Sequence, residues 1–277
     1  VKRNKRLLLA SLAGIMLLVL SGCVKTGSDG RPTGEGIIYN FLVRPMGELI
    51  QFFAKNVGLG YGLAIIIVTI IVRLIILPLG LRQSYKSAAH SERMIYLQPI
   101  LGPIQERMRK GDATERMAAQ QELLATQKEY GVSMLGGMGC LPLLIQMPFF
   151  TAIFYAARYT AGVEGDSFLN IPLGTPSMIL TAAAGILYLL QGYMSLYNLD
   201  ETQRRQMRSM LYLNPAMIII FSIMSPASVT LYWVVGGIFT IVQQAITNYL
   251  IRPGLKKKSK KSLKIAHSNL SNLRLLL

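Results

Sequence analysis

Arg73 lies inside an unbroken apolar stretch, residues 61–81, and no acidic residue of the chain falls within any candidate membrane span. An ionised side chain at membrane depth costs at least ~2.5–3.5 kcal/mol on insertion scales, so it faces partners or water. The carboxylate that would ordinarily neutralise it is missing. Nine residues separate Arg73 from Arg82 at the end of the run, about 13.5 Å of helix, a long way for an arginine to snorkel. A cationic pocket in a wet cavity, awaiting a negative group from outside the protein, is the economical reading. An arginine bonded to helix carbonyls as internal glue is the alternative.

Other polar groups in apolar runs fall on helical faces. Thr69 is four residues from Arg73 and so shares its face. Trp233, Gly237, Thr240, Gln244 and either Thr247 or Asn248 follow steps of four and three along a second face, flanked by Gln243. Gln146 and Gln191 add single amides in two further runs. Amides in membrane helices are often only interhelical ties, worth about 0.6 kcal/mol on average. Several polar faces beside an uncompensated arginine favour a hydrated groove. No catalytic set is visible. His90 and His267 lie outside the apolar runs without a grouping at metal-ligand spacing. No serine or cysteine has an intramembrane base beside it, Cys140 beside Pro142 reads as a small packed residue, and there is no phosphate loop. The sequence therefore predicts no enzyme, no metal and no cofactor.

The elements that must position these groups follow from hydropathy. The chain is 52% hydrophobic and 15% charged, with a mean hydropathy of +0.41, as in multi-span helical membrane proteins. Five spans are expected at residues 60–81, 135–158, 177–197, 209–224 and 228–250, judged against the ~20 residues that cross a hydrocarbon core. The fourth is short. Residues 1–22 read as a signal peptide, with Lys2, Arg3, Lys5 and Arg6 before an apolar core. Leu20-Ser21-Gly22-Cys23 matches the bacterial lipoprotein signal, so Cys23 is the expected lipidation (palmitate) site, an uncleaved anchor helix being the alternative. Residues 23–36 form a linker from that cysteine.

In 37–57, Ile38, Leu42, Leu49, Phe53 and Val57 recur at helical spacing, predicting an amphipathic helix in the outer interface. Residues 82–134 carry both charges and read as a cytoplasmic helical hairpin, its first arm broken or kinked at Pro99 and Pro103 and mobile. Its second arm is capped at Asp112-Ala113-Thr114-Glu115 and stopped at Gly131. Residues 251–277 form a basic tail. The formal charge of +16 is concentrated on one side of the spans. Arg82, Lys86, Arg204, Arg205, Arg208, Arg252 and lysines 256–258 share that side, while 159–176 carries Glu164 and Asp166 and no lysine or arginine. The positive-inside rule then places the N-terminus outside and the C-terminus in the cytoplasm. The basic runs lack interleaved aromatics and give no DNA-binding pattern, although lysines 256–261 suit anionic lipid or RNA phosphate.

Leu135-Gly136-Gly137, followed by the run from Cys140 through Pro142 and Gln146 to Pro148, resembles the second-span signature of the YidC-type membrane-protein insertases. Leu231-Tyr232-Trp233 with Gln243-Gln244 resembles their last span, and Arg73 matches their groove arginine. The lipoprotein signal and five-span length are similar to the Gram-positive branch of the YidC/Oxa/Alb family. Met138-Gly139 stand as an insertion between the glycine pair and Cys140. The resemblance, over about residues 37–255, implies a five-helix bundle around a hydrophilic groove open to cytoplasm and lipid and sealed outside. It implies Thr69 and Trp233 as contacts of the incoming helix, with Arg73 attracting acidic substrate tails. It further implies a bacterial plasma-membrane chaperone whose partners are nascent membrane proteins, the ribosome through hairpin and tail, the Sec translocon and the bilayer. A transporter or channel subunit with an anion-attracting cavity is the competing function. An intramembrane protease would need the absent nucleophile and base.

Overall fold

The structure is a computed structural model that describes residues 24–28, 31–130, 141–197, 199 and 201–260; within these, the side chains of 141–146, 202, 203, 206, 209 and 210 are left undescribed. The signal segment with Cys23, the 135–140 part of the second-span signature, Gly131, His267 and the end of the basic tail fall outside the described residues. So does the side chain of Gln146.

Seven helices follow in order among the described residues. They are α1 (Arg44–Gln51, extended by π-helical turns Tyr39–Val43 and Phe52–Asn56), α2 (Gly60–Lys110), α3 (Ala113–Glu129), α4 (Leu141–Tyr159), α5 (Met178–Leu196), α6 (Glu201–Met224) and α7 (Ala227–Ala245). A π-helical turn, Ile246–Ile251, continues α7, and the helix runs on to residue 260. Among the described residues three helices are long and apolar enough to cross a membrane: Gly60–Lys110, Met178–Leu196 and Ala227–Lys260; Leu211–Met224 is a shorter apolar one. The chain is a helical membrane protein. Its only sheet among the described residues is the two-stranded hairpin of β1 (Ser167–Phe168) and β2 (Ile171–Pro172). Leu169 and Asn170 turn it with φ of 50° and 63°, the pair of positive values that a two-residue hairpin turn requires.

The chain divides into two compact units, 1–75 with 143–188 and 215–238, and 76–142 with 189–214 and 239–277. The core of the first unit is made from small residues as much as large ones. Ala64, Ala152, Ala156, Ala157, Ala184 and Ala227 are buried with Ile50, Ile65, Val68, Ile153, Val229 and Leu231. In lipid, where burying apolar area between helices gains little, close approach of small residues supplies the van der Waals contact that holds a bundle.

The ends of the helices in this unit are closed by the 160–176 loop. Asp166 accepts from the Tyr61 amide at 2.6 Å and from the Ser167 amide at 2.8 Å, and the Tyr61 hydroxyl donates to the Ala161 carbonyl at 2.7 Å. The first free amides of α7 find the same loop, Ala227 N donating to Thr175 O and Ser228 N to Leu173 O. Asp166 thus caps α2 from a distant segment, satisfying an amide that the helix leaves open.

α1 buries Val43, Met46, Ile50 and, in its following turn, Ala54, whereas Ile37, Phe41, Leu49, Phe52 and Val57 are exposed. The expected stripe is therefore only partly the packed one. Ile38, Leu42 and Phe53 lean on the core, but Leu49 and Val57 do not. The segment is apolar on two sides, and the side with the tighter three-and-four spacing wins the packing.

In the second unit, α2 runs on past Pro99 and Pro103, where the sequence led us to expect a break or a kink; the helix does not break. Both prolines are exposed, while Leu97, Leu101 and Ile104 are buried against Ala119 and Leu123 of α3. The amide bonds that proline removes fall on the side open to solvent, and packing on the other side holds the helix. Arg107 and Glu122 bridge the two arms at 2.5 Å. Asp112 accepts from the Glu115 amide at 2.7 Å, as a cap at the start of α3.

Candidate functional site

Arg73 is held by α5 and α7 within the first unit. Its Cζ sits 5.7 Å from the centroid of the Tyr232 ring, close enough for a cation–π contact. Tyr188 and Tyr232 both interact electrostatically with the guanidinium. Room for the planar head comes from Gly236, one turn beyond Tyr232, where a Cβ would collide with Arg73 Nη2. Gly237 serves a different neighbour, lying against Leu187 and Tyr188 of α5, with a Cβ there at 3.1 and 3.4 Å from them. Among the described residues no carboxylate forms an ion pair with Arg73, and the side chain is only half-buried. The charge is thus cradled by two phenols and a missing side chain, with its sign uncompensated.

Thr69 and Trp233 are placed in the walls behind this seat. Thr69 is wholly buried, and its hydroxyl donates to the Ile65 carbonyl at 2.6 Å. Trp233 is 2% exposed and stacks on Phe150 at 6.3 Å with 6° between the rings. Among the described residues its indole N–H has no partner. Neither surface is open in this conformation. A separate cavity of about 200 Å³ lies between α1 and the end of α4, lined among others by Tyr39, Arg44, Tyr155 and Tyr159; it does not include Arg73.

The sequence profile of the 60Kd inner membrane protein family matches residues 52–254, which takes in Arg73, Tyr188, Tyr232 and Gly236. The chain belongs to this family. It is 54% identical over 265 residues to a protein named "Membrane protein insertase YidC" from Streptococcus pneumoniae, covering 95% of this chain and 85% of that one. It is 52% identical over 258 residues to "Membrane protein insertase YidC 2" of Streptococcus agalactiae, covering 93% and 83%. A relative of the same name from Streptococcus pyogenes is 51% identical over 256 residues, covering 92% and 83%.

Gln191, Gln243, Gln244 and Asn248 of this 60Kd inner membrane family chain belong to the second unit, and the last three form hydrogen bonds within it. Gln244 Nε2 donates to Asn248 Oδ1 at 3.0 Å, and Asn248 Nδ2 donates to the Met194 carbonyl at 2.8 Å. Gln243 Nε2 donates to Ser84 Oγ at 3.0 Å. Asn248 thereby ties the α7 continuation to α5 and Gln243 ties α7 to α2, the interhelical role that single amides commonly play. Gln191 is half-buried on α5. Sequence reasoning missed Tyr188, Tyr232 as an arginine partner, and Gly236. The four-residue spacing of Tyr232 and Gly236 was the available signal, a ring and a gap on one helical face.

Proposed function

We propose that this chain is a non-enzymatic insertase and chaperone that moves hydrophobic segments of nascent membrane proteins into the bilayer through a hydrophilic groove. The observation that carries the reading is the Arg73 charge, seated by Tyr188, Tyr232 and Gly236 and unneutralised by any described carboxylate. A fixed cation at membrane depth attracts an acidic extracellular tail and lowers its desolvation cost part-way across. Burial of the following apolar segment in lipid then drives release, with no nucleotide needed. The names of the streptococcal relatives support the same function.

Five spans, a lipid anchor on Cys23, an outer N-terminus and a cytoplasmic C-terminus complete the proposal, resting on hydropathy and charge placement. The hairpin of α2 and α3 and the basic tail are the surfaces offered to the ribosome, and cooperation with the Sec translocon belongs to the same reading. Thr69 and Trp233, buried as they are, serve it as groove walls, and direct substrate contact at either requires the helices to part.

Arg73→Lys should keep most insertion activity in proteoliposomes, and Arg73→Ala should fail on single-span substrates whose translocated tail is acidic. Equal activity of Arg73→Ala and wild type on every such substrate would remove the charge from the mechanism. Steady ion conductance in planar bilayers would favour a channel over an insertase.

A further inference from the structure

Four exposed tyrosines stand at one level of the second unit. Three contacts between its helices set that level: Gln243 with Ser84, Asn248 with the Met194 carbonyl, and Gly192, where a Cβ would lie 2.8 Å from Leu211 Cδ1. Tyr85 follows Ser84, Tyr249 follows Asn248, Tyr193 lies between Gly192 and Met194, and Tyr212 follows Leu211. Residues 243 and 248 span about 7.5 Å of helix, so the four rings occupy a shallow band. They also end the exposed apolar stripes. On α5, Ile186 and Leu190 lead to Tyr193 and Tyr197; on α6, Ile220, Met217 and Leu213 lead back to Tyr212. Apolar stripe, then tyrosine, then arginine is how a helix passes from hydrocarbon into the headgroup layer.

On the α5–α6 face this band holds more than a boundary. Tyr193 and Tyr212 are both exposed and follow Gly192 and Leu211, the residues at which α5 and α6 meet, and Arg208 lies one turn before Tyr212. Arg204 precedes Arg208 by one turn, on the face that Tyr212 continues. Arg205 is engaged with Glu201 at 3.0 Å, whereas among the described residues Arg204 and Arg208 form no ion pair. Two guanidinium forks and two phenol hydroxyls at headgroup depth, over exposed Leu190 and Leu213, suit an anion that carries hydrocarbon tails.

We propose that Tyr193, Tyr212, Arg204 and Arg208 bind the phosphodiester headgroup of an anionic phospholipid, with its acyl chains along the α5–α6 surface. The proposal rests on the membrane placement of α5 and α6 and is independent of the insertase reading. The full chain, purified in detergent, should gain thermal stability saturably when phosphatidylglycerol is added and not when phosphatidylcholine or inorganic phosphate is added. Arg204→Gln with Arg208→Gln should raise the half-saturating concentration about thirtyfold, the loss of two charges near an anionic surface. Arg208→Lys and Tyr212→Phe, milder changes that spare the packing, should each raise it roughly threefold to tenfold. Lys257→Gln with Lys258→Gln in the tail should leave it unchanged. Equal stabilisation by phosphatidylcholine, an equal loss in the tail variant, or wild-type titrations in all the α5–α6 variants would overturn the site. Loss of ribosome co-sedimentation in the arginine variants with an intact phosphatidylglycerol response would assign the face to RNA instead.

Discussion

Gly236→Ala separates the placement of the Arg73 charge from its presence. A methyl group at this position would overlap Arg73 Nη2 and lie 3.2 Å from Cζ and 3.5 Å from Nε. Every atom it meets belongs to the far end of one flexible side chain, so the backbone need not move. Ordinary contact distances of about 3.5–4.0 Å require the guanidinium to withdraw by roughly 1 Å. Its Cζ is now 5.7 Å from the Tyr232 centroid, near the ~6 Å limit of a cation–π contact, so a step of that size away from the ring ends the contact. Allowing for partial recovery of solvation, about 1 kcal/mol of charge fixation is lost, a factor of about five in rate if it acts in the transition state.

The fold itself should tolerate the change, because alanine gains about 0.8–1 kcal/mol over glycine in a helix interior. Proteoliposomes containing the full chain, supplied with single-span substrates differing only in tail charge, provide the assay, with protease protection as the readout. Insertion of the acidic-tailed substrate should slow about fivefold and that of the neutral-tailed one should hold. In an Arg73→Ala background the alanine should add nothing. An unchanged acidic-tail rate, an equal slowing of both substrates, or a further loss in the Arg73→Ala background would refute the seat.

Two further outcomes follow from the ends of α2 and α7. Glu92 and Arg252 form a buried pair at 3.3 Å, 1% and 7% exposed at the side chain, and burial already holds the Glu92 carboxyl above its ordinary 4.5 against the pull of Arg252 and Lys256. Arg252→Gln should cost about 3 kcal/mol at pH 7.5. A carboxyl with a raised folded pKa contributes stability that is complete below the unfolded value and lost as pH rises through the folded one. The deficit should therefore shrink as pH falls from neutrality toward 4.5, and a melting-temperature gap that widens instead would reverse the assignment. Asp166→Ala removes the distant cap of α2 and should lower stability by about 1 kcal/mol, read by thermal unfolding in detergent; a neutral result would show that water caps Tyr61 as well.

Hydropathy made the helices readable, because apolar runs of spanning length admit few alternatives to a helical membrane protein. The Asp112 cap was readable for a similar reason, its partner Glu115 N lying three residues away. Failure set in wherever the deciding contact was distant in sequence. Pro99 and Pro103 signalled a break, yet Leu97, Leu101 and Ile104 packing on α3 keeps the helix whole. The α1 stripe was ambiguous because both its sides are apolar, and only the neighbouring helices choose between Val43-Met46-Ile50 and Leu49-Val57. Asp166 read as a loop charge on the outer side; its carboxylate is spent on a helix 105 residues away.

The site shows the same division in sharper form. Arg73 declares itself by residue type, since a guanidinium among isoleucines is costly wherever it lies. What makes that charge usable is set by residues with no such signature. Tyr188 and Tyr232 are ordinary members of apolar helices, and Gly236 acts through the side chain it lacks. The amides of Gln243, Gln244 and Asn248, expected as groove positions on spacing, find partners: Gln243 and Asn248 on neighbouring helices and Gln244 one turn along its own. A polar residue in lipid must satisfy its hydrogen bonds somewhere, and an amide can do so on a neighbouring helix, whereas a guanidinium with no carboxylate within reach keeps its net charge however many phenols surround it. That difference is why one arginine, and not the larger number of amides, carries the electrostatic part of the proposed function.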